Sequence, residues 1–113
     1  MTGPTIWDVA ARRGSAFPVT LTEQFEAWLA TNYGRSVYHE VVYRARRLHS
    51  LGWQHYGIAA IWESIRFDWN VAAGPDVDGF KVNNNYRAFI ARRVMADYPE
   101  LDGFFETRTQ HAA

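Results

Sequence analysis

The stretch from Phe80 to Val94 constrains the fold of this chain more than any other. It begins with Phe80–Val82, an apolar-polar-apolar segment with the alternation of a short β-strand. Asn83–Asn85 follow, and asparagine favours turns and helix N-caps because its side chain can bond to free backbone N–H groups. Apolar residues then recur at helical spacing from Tyr86 onward. The stretch therefore predicts a junction at which a strand gives way to a helix.

Helical periodicity, together with capping and stop residues, predicts the rest of the secondary structure. Thr20 and Glu23 have the spacing of a capping box, and Gly52 is placed to end a helix. The turn signals Gly74-Pro75-Asp76 and Asp78-Gly79 predict a hairpin between strands at Phe67–Val71 and Phe80–Val82. The predicted helices cover about residues 5–13, 20–32, 36–51, 57–70 and 84–98.

These elements predict a mainly α fold. We expect one domain over residues 1–113, because a chain of this length can bury roughly two-thirds of its unfolded surface around one core. The domain would be a bundle of about five helices with a small, wing-like β-hairpin before the last long helix. Residues 1–4 and 109–113 are expected to be flexible ends.

Composition excludes several classes of protein. The chain has no cysteine, so a disulfide framework, a thiolate zinc site and a cysteine nucleophile are ruled out. Twelve basic residues balance twelve acidic residues, which argues against a broad basic face for phosphate backbones. No window approaches the roughly 20 apolar residues of a membrane span, and the N-terminus lacks a signal-peptide pattern. We therefore expect a cytoplasmic protein with no membrane partner.

Three sets of residues in the second half carry a resemblance to a known family. They are Tyr56-Gly57-Ile58 with Ile61-Trp62-Glu63-Ser64-Ile65-Arg66, then Gly79 to Ala88 with Ala91-Arg92, and finally Tyr98-Pro99 with Phe104 to Arg108. Through them, residues 37–108 resemble a family of small uncharacterised proteins encoded by bacteriophages and prophages, the segment Lys-Val-Asn-Asn-Asn-Tyr-Arg being the most specific part. The resemblance implies a phage or prophage origin, and hence a host cytoplasm, but no particular activity.

The asparagine run suggests a binding corner. One asparagine is enough to cap a helix, and Lys81 and Arg87 would flank the run at a helix N-terminus, where backbone N–H groups attract anions. The first hypothesis is therefore a winged-helix-like, DNA-binding accessory or regulator. Its candidate nucleic-acid or anion-binding residues are Lys81, Asn83, Asn84, Asn85, Arg87 and Arg92, assisted by Arg46 and Arg47. The alternative for the run is a purely structural one, with one amide capping the helix and another in a turn.

A second hypothesis is a phage protein that binds a host protein and inhibits or redirects it. Trp7, Trp53 and Tyr56 are the candidate aromatic contacts for such a partner. Catalysis is not expected, because no histidine has metal-ligand spacing to a carboxylate and no phosphate loop or nucleophile elbow occurs. We expect no metal and no cofactor. The two binding hypotheses are nearly balanced, with DNA slightly favoured by the amide and cation corner.

Overall fold

The computed structural model describes residues 19–77 and 79–105, and these residues form four α-helices and one 3-10 helix. The α-helices are α1 (Leu21–Leu29), α2 (Asn32–Ser50), α3 (Ile58–Ala73) and α4 (Tyr86–Asp97), and the 3-10 helix is Pro99–Leu101. The prediction of a mainly α fold is confirmed. The predicted first helix over residues 5–13 lies outside the described residues, as do the two predicted flexible ends.

The chain divides into two compact units between Ser36 and Val37, within α2, and the prediction of a single domain stays a prediction. In the first unit the predicted capping box opens α1. The Thr20 hydroxyl accepts from the Glu23 backbone N–H at 3.1 Å, and the Glu23 carboxylate accepts from the Thr20 N–H at 3.0 Å. Thr31 caps the next helix, because its hydroxyl accepts from the Gly34 N–H. α2 consequently begins at Asn32, before the predicted start near Ser36.

The second unit begins with the remainder of α2, which ends as the sequence predicts. Gly52 has a φ of +100°, a conformation that only glycine adopts without strain. Its N–H donates to the His49 carbonyl at 3.0 Å, and the Trp53 N–H donates to the Leu48 carbonyl at 3.1 Å. These two bonds make a Schellman motif, which satisfies carbonyls at the end of the helix and turns the chain sharply.

The core of the second unit lies where α3 packs against α4 and α4 packs against the 3-10 helix. Trp62, Ile65 and Ile90 are fully buried there, and Leu101 closes the core from the 3-10 helix. Arg44 joins α2 to α3 by donating to the Ser64 hydroxyl at 2.9 Å and to the Asp68 carboxylate at 2.8 Å. The buried residues are Val37, Val41, Val42, Ala45, Ile61, Trp62, Ile65, Phe80, Tyr86, Ile90, Ala91, Val94, Leu101, Phe104 and Phe105.

The predicted β-hairpin is wrong. Residues 19–77 and 79–105 contain no β-strand, so the wing-like element is missing from the described chain. Phe67–Val71, predicted as its first strand, belongs to α3, which continues to Ala73 and ends where Gly74 takes a φ of +86° before Pro75. The helical stripe of Ile61, Trp62 and Ile65 extends through this segment, and that period outweighs the β-propensity of Phe67 and Val71.

Candidate binding surfaces

Asn84, the middle residue of the asparagine run, is bonded to side chains of α3. Its Oδ1 accepts from the Trp62 indole Nε1–H at 3.3 Å and from an Arg66 guanidinium N–H at 3.2 Å. Trp62 has no exposed surface, so its indole N–H needs an acceptor inside the protein. Asn84 supplies that acceptor. The amide therefore serves the core, although part of the residue is exposed.

The other two asparagines differ from Asn84 and from each other. The Asn83 side chain accepts a hydrogen bond from the Asn85 backbone N–H at 2.9 Å, which makes an Asx turn before α4. Asn85 is the N-cap residue of α4 but has αR backbone angles, and its side chain makes no capping hydrogen bond. Asn83 thus has the turn role of the structural alternative, but Asn84 bonds to side chains of α3 instead of capping α4. Asn85 remains exposed, with its amide available to solvent.

Arg66 organises this corner, and the sequence analysis did not assign it a site role. Its guanidinium bonds to the Glu63 carboxylate at 3.0 Å, to the Phe80 carbonyl at 3.3 Å and to Asn84. The same group lies over the Phe80 ring, 5.1 Å from its centroid. The spacing of Glu63 and Arg66 was the available signal, since residues three apart on a helix are neighbours. It gave no indication of the contacts to residues 80–84.

Residues 79–84, which we call the docked segment, lie against α3. A Cβ on Gly79 would come within 2.5 Å of the Trp69 carbonyl oxygen, so only glycine allows this approach. Phe80 is 4 % exposed and meets the rings of Trp62 and Trp69 edge to face, each at 5.5 Å. The predicted second strand is thus an extended segment held by side chains.

Arg87 and Arg92, two cations of the predicted corner, face different directions on α4. Lys81 is exposed in the docked segment, and Arg87 donates from Nε to the Asn84 carbonyl at 3.3 Å. Arg92 is exposed and stacks on Phe89, 5.2 Å from the ring centroid. Positions 87 and 92 are about 140° apart around α4 at 100° per residue, so they face different directions.

Arg46 and Arg47 lie away from the asparagine run. Arg46 pairs with Glu100 at 3.2 Å and stacks on Tyr98, 5.3 Å from the ring centroid, so it sits beyond the C-terminal end of α4. A helix of 12 residues is about 18 Å long, and this length separates Arg46 from the asparagines at the N-terminal end. Arg47 is exposed on α2. The structure does not join these two arginines to the corner.

Of the predicted aromatic contacts, Trp53 and Tyr56 are neighbours, and Trp7 lies outside the described residues. The rings of Trp53 and Tyr56 meet edge to face, with their centroids 5.5 Å apart. Trp53 is 52 % exposed, whereas Tyr56 is half-buried. The Tyr56 N–H donates to the Phe104 carbonyl at 3.1 Å, which fastens the loop between α2 and α3 to the C-terminal segment.

Trp53 lines a cleft of about 270 Å³, the Trp53 cleft, between the end of α2 and the 3-10 helix. Its other principal side chains are His49, His55, Glu100, Asp102 and Phe104. His55 Nδ1 lies 3.1 Å from the Gly103 carbonyl oxygen, which can only accept a hydrogen bond, so Nδ1 carries the hydrogen. In the neutral ring Nε2 is then an acceptor.

A second concavity, the α3 groove, is open and is lined by both apolar and polar residues, the polar ones being Arg66 and Asn70. Its most exposed apolar members are Phe67 and Val71 of α3 and Val77 of the following turn, at 68 %, 67 % and 61 % exposure. Arg66 and Phe80 form its other edge, and its volume is about 730 Å³. Phe67 and Val71 are four residues apart and therefore adjacent on the helix. Composition does not predict the groove, because the groove depends on which side chains the folded chain leaves exposed.

Tyr38 and Asp97 make a hydrogen bond between α2 and α4, in which the phenol donates to the carboxylate. Burial and this bond raise the pKa of Tyr38 above its ordinary value of 10.0. Burial also raises the pKa of Tyr86. Both phenols are therefore protonated at neutral pH.

Residues 19–77 and 79–105 hold no group of three His, Asp or Glu side chains that could bind one metal ion. In the same part of the chain, no helix combines the length and apolar character needed to cross a membrane.

No family model, curated protein or solved structure matches the chain. The resemblance to phage and prophage proteins therefore stays a prediction.

Proposed function

We propose that this protein is a non-catalytic binding protein whose partner is another protein, and that the α3 groove is the contact surface. The proposal depends on one observation: Phe67, Val71 and Val77 are each more than three-fifths exposed on one side of the unit. Contiguous exposed apolar surface in a water-soluble fold marks interaction sites. Fully burying a side chain of this kind contributes about 1.5–3 kcal/mol, so three of them can supply much of a binding free energy.

The groove suits an apolar segment of a partner protein, such as one face of an amphipathic helix. Phe67 and Val71 form a row along α3, and Val77 extends this row past the helix end. A partner helix would place apolar side chains three or four residues apart into such a row. Of the polar side chains that line the groove, Arg66 is already engaged, since its guanidinium bonds to Glu63, to Phe80 and to Asn84.

The predicted phage or prophage origin supports a host protein as the partner, in the cytoplasm of the host. In this setting the protein would inhibit or redirect the protein that it binds. The zero net charge agrees with a protein partner, because such a chain does not depend on attraction to phosphate groups.

DNA binding is the second proposal, and one observation favours it. Asn85 and Arg92 are seven residues apart on α4, which puts an exposed amide and an exposed guanidinium on one face of the helix. The support is weaker than for a protein partner, because Asn84 is engaged by the core and Arg46 by Glu100. An affinity for DNA that falls with salt and weakens in Arg92→Ala would support it.

The double variant Phe67→Ser/Val71→Ser tests the protein-partner proposal. Tagged wild type and variant are used to capture proteins from host lysate, with and without nuclease, and the captured proteins are quantified by mass spectrometry. Tyr43→Ser is the matched control, because Tyr43 is an equally exposed aromatic residue of α2 at 61 % exposure. We expect a stoichiometric partner that survives nuclease, is retained by the control and falls at least about tenfold with the double variant.

Two outcomes would contradict the proposal. One is a partner whose capture is the same for wild type and for Phe67→Ser/Val71→Ser. The other is capture that disappears after nuclease treatment, which would favour the nucleic-acid proposal. Circular dichroism spectra of both variants show whether any loss comes from unfolding.

A further inference from the structure

We infer that the Trp53 cleft binds a basic side chain, arginine above all, presented by a protein partner. This inference rests on the proposed function, because it takes the partner to be a protein. It concerns a different surface from the α3 groove and gives that partner a charged anchor. The cleft combines two carboxylates, an exposed indole and a fixed imidazole in a volume of about 270 Å³.

The walls of the cleft are held by main-chain contacts. The Schellman motif at Gly52 turns the chain at the end of α2, so the chain changes direction before Trp53. Beyond it, the Tyr56 N–H binds the Phe104 carbonyl, and the His55 ring binds the Gly103 carbonyl. The loop and the C-terminal segment are thus joined at two successive points, and the cleft between them is preformed.

The carboxylates keep capacity for another cation. Glu100 pairs with Arg46 through one oxygen, Oε2, at 3.2 Å. The Asp102 side chain is exposed and makes no hydrogen bond or ion pair with the described residues. In its neutral form His55 adds an acceptor at Nε2, because its Nδ1–H is donated to the main chain. The acceptors lining the cleft therefore suit a group with several N–H donors, which a guanidinium has.

The indole of Trp53 supplies an aromatic face on which a guanidinium can stack. It is 52 % exposed, and Tyr56 fixes its orientation by an edge-to-face contact at 89°. Indole is the best aromatic face for a cation, and the planar guanidinium both stacks and forms bidentate bonds to carboxylates. The protein already uses this combination beside the cleft, where Arg46 lies over Tyr98 and pairs with Glu100.

Other ligand classes fit the cleft less well. A metal ion would need three suitable ligands together, and the described residues provide no such group. An anion would be repelled by Glu100 and Asp102. The cleft is also smaller than the roughly 300–1,000 Å³ typical of pockets for whole small molecules, which favours a single side chain.

The test is an NMR titration of the full chain with Nα-acetyl-L-arginine amide. Nα-acetyl-L-citrulline amide is the control ligand, because it has the same shape without the charge. We expect saturable shifts at the Trp53 indole and the Asp102 amide with the arginine probe, and smaller, non-saturating shifts with citrulline. Asp102→Asn and Trp53→Leu should each weaken binding by about two- to fivefold, as expected for an exposed ion pair and an exposed cation–π contact.

Asp76→Asn is the matched control variant, since it removes an exposed carboxylate that does not line the cleft. It should change the dissociation constant by less than about 1.5-fold. Equal shifts with the arginine and citrulline probes would overturn the inference, and so would equal losses in Asp76→Asn and Asp102→Asn. Because the titration uses no partner protein, its outcome is independent of the capture experiment on the α3 groove. Failure of one can therefore be told from failure of the other.

Discussion

The docked segment and the α3 groove are both formed on α3, and they use their residues in opposite ways. The docked segment includes polar residues, yet the Asn84 side chain bonds to the buried Trp62 indole, and the Phe80 ring lies under the Arg66 guanidinium. The groove contains the apolar side chains of Phe67 and Val71, yet these are mostly exposed. The Asn84 amide of the docked segment is thus used for folding, whereas the apolar side chains of Phe67 and Val71 stay exposed.

This difference shows that residue type alone does not identify a binding surface. The relevant quantity is the bonding or burial capacity that folding leaves unused. The acceptor of Asn84 is occupied by two donors, so using it for a ligand would leave the Trp62 N–H unpaired. Covering Phe67 would remove apolar surface from water without breaking any bond. For this reason we propose that the groove contacts the partner and that the docked segment has a structural role.

Of the substitutions that test this difference, Gly79→Ala should cause the largest loss of stability. The added Cβ would meet the Trp69 carbonyl oxygen at 2.5 Å and the Asn70 side chain at 2.8 Å, and backbone cannot move aside cheaply. We expect a loss of about 3 kcal/mol in the free energy of unfolding, measured by urea titration. Gly57→Ala is the control, because a Cβ there meets nothing within 4 Å. Similar losses in both variants would show that the docked segment is not tightly apposed to α3.

Asn84→Ala should have the next largest effect. It leaves the indole N–H of the buried Trp62 without its acceptor, at a cost of about 1–2 kcal/mol. Asn85→Ala should change stability by less than about 0.5 kcal/mol, because the Asn85 side chain makes no capping bond. Chemical denaturation of the two variants side by side gives the difference. An equal loss from both substitutions would contradict the distinction between the two amides.

Phe67→Ser/Val71→Ser should have the smallest effect on stability. Both side chains are about two-thirds exposed, so their burial contributes little to stability. We therefore expect the free energy of unfolding to change by no more than about 0.5 kcal/mol. The same urea titration measures it. A loss comparable to that of Gly79→Ala would mean that the groove residues belong to the core, and the groove would then no longer be a candidate contact surface.

Much of the helical architecture could be predicted from sequence, because its signals are local. The capping box of Thr20 and Glu23 and the glycine at position 52 act within a few residues, and the structure confirms both. The hairpin was predicted wrongly for the same reason. Phe67–Val71 has strand-forming residues, but the buried stripe that begins at Ile61 keeps this segment helical.

The candidate sites were less predictable, because they depend on contacts between distant parts of the chain. No local pattern shows that Asn84 will meet Trp62, 22 residues earlier, or that Arg66 will reach the carbonyl of Phe80. The Trp53 cleft likewise forms only when Glu100 and Asp102 come to lie beside the end of α2. Sequence identified Trp53 as a candidate contact but not the acidic residues beside it.

The most direct test of the account is a comparison of two variants in partner capture. Phe67→Ser/Val71→Ser removes two exposed apolar side chains of α3, and Asn85→Ala/Arg92→Ala removes the exposed amide at the N-cap of α4 and an exposed guanidinium within this helix. We expect the first variant to lose the captured protein and the second to retain it at the wild-type level. Retention by the groove variant together with loss by the α4 variant would contradict this expectation and would place the binding surface on α4.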